Sequence, residues 1–195
     1  DPLNYGEVYG GNAVSFDGTN DYIDTGYSLG TETNFSIGFW MNLDVYTAKI
    51  AIDCRDNIYD GVSFFTDGTS DIVFRINGND LNSPAFSTGK WHYVVGTYDG
   101  STQKVYVDGV ASSASLSTTL NVSNNIRIGA RAYTIASYID GLMSGVKVFN
   151  TALTQDQVRE LYTKPELTLP TGIDSSVLKL DMPMQEGSGV AILDG

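Results

Sequence analysis

Short runs that alternate apolar and polar residues, many of them ending in a Gly-containing turn, recur through most of the chain. The run FSIGFWMNLD (35–44) places apolar side chains on one face and Trp40 on the opposite face. GVSFFTDGTSDIVFRIN (61–77) reads as two strands joined by a turn at Asp67 and Gly68. A period of two is the signature of a strand, and strands recurring about every ten residues are typical of a sandwich or barrel. The pattern therefore predicts an all-β protein.

One segment departs from this period. TALTQDQVRELYT (151–163) has apolar residues at helical spacing, and Thr154 with Gln157 fits a capping box. We therefore predict one short helix near residues 154–162. The segment that follows contains Pro165, Pro170 and Gly172, which favour an extended connector.

The composition excludes several classes of protein. A net charge of -12, with only 11 Lys and Arg in 195 residues, argues against nucleic-acid binding. Cys54 is the single cysteine, so neither a disulfide framework nor a Cys-based zinc site is expected. No signal peptide or membrane-spanning run is visible, and we expect a chain starting at Asp1 to be processed, excised or incomplete.

Five stretches in this order resemble one known family. They are GNAVSFDGTNDYIDTG, FSIGFWM, GKWHYVVGTYDGSTQKVYVDGV, NIRIGAR and DGLMSGVKVFNTALTQDQVRELY, and they cover roughly residues 10 to 163. The chain resembles the laminin G-like domains of the concanavalin A-like lectin/glucanase superfamily. The resemblance implies a jelly-roll sandwich of two antiparallel sheets, usually secreted, commonly carbohydrate-binding and often holding Ca²⁺.

The C-terminal segment resembles the strand with which such a domain usually begins, but here it lies at the opposite end of the chain. LDMPMQEGSG (180–189) has that strand's pattern, while residues 1–11 begin too late to contain one. We predict a sandwich over residues 1–164, a connector over 165–175 and a displaced strand over 176–195. The strand completes its own sandwich, or a neighbouring one, or begins a truncated tandem repeat. An open sheet edge is an association hazard, which favours a segment that is used.

Glycoside hydrolysis is not expected. The glucanases of this superfamily use closely spaced acids on one strand, and no such array is present in the sequence. Cys54 and the single histidine, His92, give only weak support to a nucleophilic site. We interpret His92, in the alternating run KWHYVV, as a residue on a sheet face.

Calcium is the expected cofactor. Ca²⁺ takes oxygen ligands from loops, and in this family the two ends of the domain come together. Asp17, Asp21 and Asp140 are therefore the predicted metal ligands. Ser144 and Gly145 stand where many relatives have acids, which is a departure from the family pattern.

Carbohydrate sites combine aromatic faces with planar polar groups. Three loops offer such residues, over 54–61, 75–82 and 129–138. The predicted carbohydrate-binding residues are Arg55, Asp56, Tyr59, Arg75, Asn77, Arg131 and Tyr133.

These observations predict a non-catalytic recognition module that binds a glycan or glycoprotein with help from Ca²⁺. It would act outside the cell, at a cell surface or on a virion. The alternative is a structural subunit of a virion or extracellular filament, assembled as a homo-oligomer or on a neighbouring subunit through residues 176–195. Neither nucleic acid nor membrane insertion is expected, and an enzyme is the least favoured class.

Overall fold

The structure, a computed structural model, describes residues 13–184 as two sheets packed face to face. The strands of the larger sheet are β1 (Val14–Asp17), β3 (Phe35–Leu43), β8 (His92–Tyr98), β9 (Thr102–Val107), β10 (Val110–Ser115), β12 (Asp140–Phe149) and β13 (Leu178–Met182). Those of the smaller sheet are β2 (Ile23–Asp24), β4 (Ile50–Asp53), β5 (Val62–Thr66), β6 (Ile72–Ile76), β7 (Asn79–Asn82) and β11 (Arg127–Ile128). Helix α1 spans Gln155–Thr163, and a 3₁₀ turn spans Ser175–Val177.

The order of the larger sheet is β1-β12-β3-β8-β9-β10, with β13 also on β12, and that of the smaller sheet is β2-β11-β4-β5-β6-β7. The named strands pair antiparallel with their neighbours. The predicted jelly-roll sandwich with one short helix is confirmed.

Strand β3 shows how the alternation builds the core. Phe35, Ile37, Phe39 and Met41 are buried between the sheets, while Trp40 lies on the outer face of the larger sheet. The sheets approach closely at Gly96, where a Cβ atom would lie 2.4 Å from Phe64 Cζ. Burial of each such Phe contributes roughly 1.5–3 kcal/mol. The core therefore requires glycine at this contact.

Helix α1 covers the outer face of the larger sheet. Thr154 is its N-cap, and both hydrogen bonds of the capping box with Gln157 are present. Val158 and Leu161 pack on a cluster that includes Trp40. No helix covers the smaller sheet within residues 13–184, and the loop 129–138 covers the centre of its outer face at Asp53.

One edge of β12 is shared between two strands. β1 pairs with its first half, Val14 opposite Met143, and β13 pairs with its second half, Val146 opposite Met182. In the described chain, β13 thus adds to the sheet of its own molecule. The division into 1–164, 165–175 and 176–195 stays a prediction, and residues 1–12 and 185–195 lie outside the described part. None of the described helices is both long and apolar enough to cross a membrane.

Candidate functional site

A row of polar residues crosses the outer face of the smaller sheet. Strand register places one residue of each strand in line: Asp24, Arg127, Asp53, Ser63, Arg75 and Asp80. Their sequence neighbours Ile128, Ile52, Phe64 and Phe74 point into the core. Because side chains alternate between the faces of a strand, burying those neighbours places the charged row outside.

A buried ion pair lies at the centre of this row. Arg55 Nε is 2.5 Å from Asp53 Oδ1, and the two side chains are 3% and 0% exposed. The other carboxylate oxygen of Asp53 accepts a 2.7 Å hydrogen bond from the Ala132 N–H. Burial raises the pKa of Asp53, and the charge of Arg55 and the hydrogen bond from Ala132 offset only part of that rise. Asp53 therefore holds both Arg55 and the loop 129–138 in place.

Four of the predicted carbohydrate-binding residues line one depression beside this pair. It has a volume of about 270 Å³, and its walls come from β4, β5, β6 and the loop 129–138. The four predicted residues are Arg55, Arg75, Arg131 and Tyr133. Lys49, Ile58 and Phe65, which the sequence did not single out, lie with them.

Aromatic rings hold the three guanidinium groups of the depression. Arg55 Cζ lies 5.4 Å and Arg131 Cζ 5.3 Å from the centre of the Tyr133 ring. Arg75 Cζ lies 4.8 Å from the centre of the Phe65 ring. Cation–π contacts of this length are attractive and restrict the planar guanidinium groups. The site thus presents N–H donors in defined orientations.

Two other predicted residues serve to hold loops. The Asp56 carboxylate accepts hydrogen bonds from Ser123 and from the Asn124 N–H. Burial opposes its ionisation, but these bonds outweigh burial and leave the pKa of Asp56 below its usual value. Asn77 has a left-handed φ of 46° and bonds through its side chain to Gly61 and Thr118. Both side chains already have partners that join separate loops.

Tyr59 does not line the depression but follows Ile58, which does. Its side chain is 66% exposed and lies beside Gly78, and the adjacent Ile58 is 53% exposed. Of the residues that the sequence missed, Phe65 had the clearest signal. In a strand containing Phe64 and Phe65 side by side, one ring must face outward because successive side chains point to opposite faces.

The predicted metal ligands lie close to one another at a different place. Asp17 is opposite Asp140 in the β1 and β12 register, and its N–H donates to Asp21 Oδ2 at 3.0 Å. Asp17 Oδ1 accepts the Thr19 N–H at 2.8 Å. Two of the three carboxylates therefore close the turn, and residues 13–184 contain no group of three or more acidic, His or Cys side chains arranged for a metal ion. The assignment of Asp17, Asp21 and Asp140 as Ca²⁺ ligands stays a prediction.

Ser144 and Gly145 lie at the irregularity in β12. Both hydrogen-bond to the Pro183 carbonyl, the Ser144 hydroxyl at 3.0 Å and the Gly145 N–H at 3.3 Å. The two positions where many relatives carry acids therefore contact the chain that follows β13.

His92 belongs to a Ser–His–Asp arrangement. Its Nδ1 is 2.7 Å from Asp108 Oδ2, and its Nε2 is 3.4 Å from Ser87 Oγ. However, Nε2 is closer to the Ser87 carbonyl oxygen, at 2.9 Å. The two ring nitrogens thus face two acceptors, the Asp108 carboxylate in the turn after β9 and the Ser87 carbonyl before β8. These contacts connect the loop before β8 to the turn after β9.

The comparisons with known proteins agree with this architecture. The model of the concanavalin A-like lectin/glucanases superfamily, in its laminin G form, matches residues 17–159. No curated protein matches the sequence significantly.

Three solved structures illustrate the shared fold. A heptameric SAP-like pentraxin from Limulus polyphemus is 16% identical, with a TM-score of 0.64 over 89% of this chain and 96% of that one. A candidate carbohydrate binding protein from Bacteroides ovatus is 17% identical, with a TM-score of 0.70 over 92% of this chain and 54% of that one. The LG4-5 domains of mouse laminin α1 are 14% identical, with a TM-score of 0.57 over 73% of this chain and 44% of that one.

At these identities the likeness concerns the fold alone, and the chain spans only about half the length of the last two structures. The family match is different in kind, because it covers most of the sequence and most of the motif residues on which the predicted resemblance rested. The chain belongs to the laminin G-like family of the concanavalin A-like lectin/glucanase superfamily.

Proposed function

We propose that the chain is a non-catalytic carbohydrate-recognition module that acts outside the cell, and that the glycan binds in the depression on the outer face of the smaller sheet. The observation that carries the proposal is the convergence of Arg55, Arg75, Arg131 and Tyr133 on that depression. A concave site with a few oriented polar groups against aromatic rings is the usual form of a sugar site. The likeness to the Bacteroides ovatus protein supports it.

The test is a broad glycan array, followed by titration of each retained glycan against two variants. Tyr133→Ala removes the ring that holds two guanidinium groups, and we expect it to weaken binding by about tenfold or more. Tyr22→Ala is the matched control. Tyr22 is 41% exposed and has Arg127 Cζ 5.0 Å from its ring centre, but it does not line the depression.

Three results would count against the proposal: a blank array, equal losses in the two variants, or no loss in Tyr133→Ala. Retention that survives Tyr133→Ala would place the glycan elsewhere on the molecule. The comparison needs both variants to be folded, which near-UV circular dichroism establishes.

Calcium assistance is tested on the same array by adding Ca²⁺ or a chelator. The depression itself contains four cationic side chains and one carboxylate, Asp67, among its described lining residues. A divalent cation has few ligands in such a site. Loss of retention in chelator would support assistance by Ca²⁺ bound elsewhere, and unchanged retention would refute it.

A further inference from the structure

We propose that the depression selects acidic glycans, in which a carboxylate or sulfate group meets the arginine side chains. This inference rests on the proposed function and adds the chemical class of the ligand. It follows from three features of the site: its charge, its excess of hydrogen-bond donors, and its contrast with the rest of the molecule.

The cationic residues of the chain are concentrated here. Four of the 11 Lys and Arg residues line this one depression: Lys49, Arg55, Arg75 and Arg131. Arg55 pairs with Asp53 and Arg75 with Asp80. Lys49 and Arg131 form no ion pair with any carboxylate of residues 13–184. Two positive charges are therefore available for a ligand.

The site offers donors far more than acceptors. Arg and Lys side chains donate hydrogen bonds and cannot accept them. Arg131 uses one side-chain N–H on Ser137 Oγ, at 3.0 Å, while its buried Nε has no partner among the described residues. Asp67 Oδ1 already accepts two hydrogen bonds from Thr69. Neutral sugar hydroxyls both donate and accept, whereas carboxylate and sulfate groups only accept, which suits this site.

The negative charge of the rest of the chain limits which anions this site attracts. The whole chain carries -12, so the protein as a whole repels polyanions. At physiological ionic strength the screening length is about 8 Å, so only an anion close to Lys49 and Arg131 is attracted to them. A guanidinium group fits a carboxylate or sulfate through two parallel hydrogen bonds, and the Tyr133 ring already orients Arg131 for this. Recognition should thus be local and geometrically specific.

The experiment compares glycans that differ only in charge. One pair of probes is hexagalacturonic acid and its fully methyl-esterified form, and a second pair is a κ-carrageenan hexasaccharide, which carries sulfate groups but no carboxylate, and its desulfated form. A neutral hexagalactan serves as the uncharged reference. The first pair tests carboxylate recognition and the second tests sulfate recognition. Each probe is titrated calorimetrically against the full chain at physiological ionic strength.

Two charge-removing variants locate the contact. Arg131→Gln is expected to weaken binding of the acidic probe by about tenfold or more, because hydrogen bonds to charged groups contribute about 1.5–3 kcal/mol each. Lys104→Gln removes the same charge from β9 of the larger sheet, and we expect a change within about twofold. A loss confined to Arg131→Gln separates local contact from a general effect of net charge.

The outcomes are distinguishable. Binding of an acidic probe, with little binding of its neutral partner and a loss in Arg131→Gln alone, supports the inference and shows which anion is recognised. Equal binding of charged and neutral partners overturns acid selectivity but leaves glycan recognition standing. Equal losses in Arg131→Gln and Lys104→Gln overturn the local site. Failure of both pairs and of a broad array overturns the inference together with the proposed function.

Discussion

Replacing Arg55 by Met tests the buried ion pair on which the candidate site is built. Arg55 is 3% exposed and lies 2.5 Å from the fully buried Asp53. Met retains much of the apolar stem but removes the positive charge, which leaves the Asp53 carboxylate uncompensated in the protein. Breaking a buried pair by removing one partner costs about 3–5 kcal/mol. For a chain of this size each kcal/mol lowers the melting temperature by about 2–4 °C, so we expect a decrease of roughly 6–20 °C.

Arg75→Met is the matched control for this prediction. Arg75 also pairs with an Asp and also lies over an aromatic ring, but its side chain is 22% exposed and that of its partner Asp80 is 41% exposed. Exposed pairs contribute about 0–1 kcal/mol because water screens both charges. The free energy of unfolding, measured by urea denaturation, should therefore fall several times more in Arg55→Met than in Arg75→Met.

The pH dependence gives a second, independent signature. Burial raises the pKa of Asp53, and removing Arg55 removes an interaction that opposes this rise. An acid whose folded-state pKa is raised binds its proton more tightly in the folded chain, so stability decreases as the pH rises through that pKa. The loss in Arg55→Met should thus be larger at about pH 7 than near pH 3.8, the ordinary pKa of an Asp side chain. Equal losses in the two arginine variants, or a loss that grows at low pH, would refute the reasoning.

Three further predictions concern other parts of the molecule. Hydrogen bonds from Ser123 and its neighbour outweigh burial and lower the pKa of Asp56, so this carboxylate stabilises the fold above its unfolded pKa of about 3.8 and loses that contribution as the pH falls further. The unfolding free energy of Asp56→Asn should therefore decline less steeply than that of the parent chain between about pH 5 and pH 3. An unchanged slope would contradict this. Gly96→Ala places a Cβ 2.4 Å from Phe64 Cζ and should cost about 1–3 kcal/mol in urea denaturation; a stability equal to the parent chain would show that the rings move aside. Leu180, on β13, packs against the core of its own molecule, so Leu180→Asp should lower the free energy of unfolding by about 1–3 kcal/mol. Light scattering should give the mass of a single chain before and after the substitution. A larger assembly that dissociates on substitution would instead support exchange of the strand between subunits.

How much the sequence predicted depends on the distance over which each feature is decided. The two faces of β3 and the capped start of α1 follow from residues within a few positions of one another, so both were predictable. Arg55, Arg131 and Tyr133 were selected individually as loop residues. Nothing in the sequence showed that they would meet, because their contact depends on the place of β11 beside β4 in the sheet.

The same limit explains Asp56 and Asn77. As polar loop residues they were indistinguishable from ligand-binding groups, and only the folded chain shows their hydrogen bonds to Ser123 and Thr118. Lys49 and Phe65 were missed for a related reason, since the depression that they line exists only when β4, β5 and β6 are aligned. The sequence by itself determined the strands, the helix and the family, because strand alternation, helix capping and the ordered family motifs can all be read along the chain. Only the tertiary structure decided which charges are paired, which are not and which edge β13 occupies, because these depend on contacts between residues far apart in the chain.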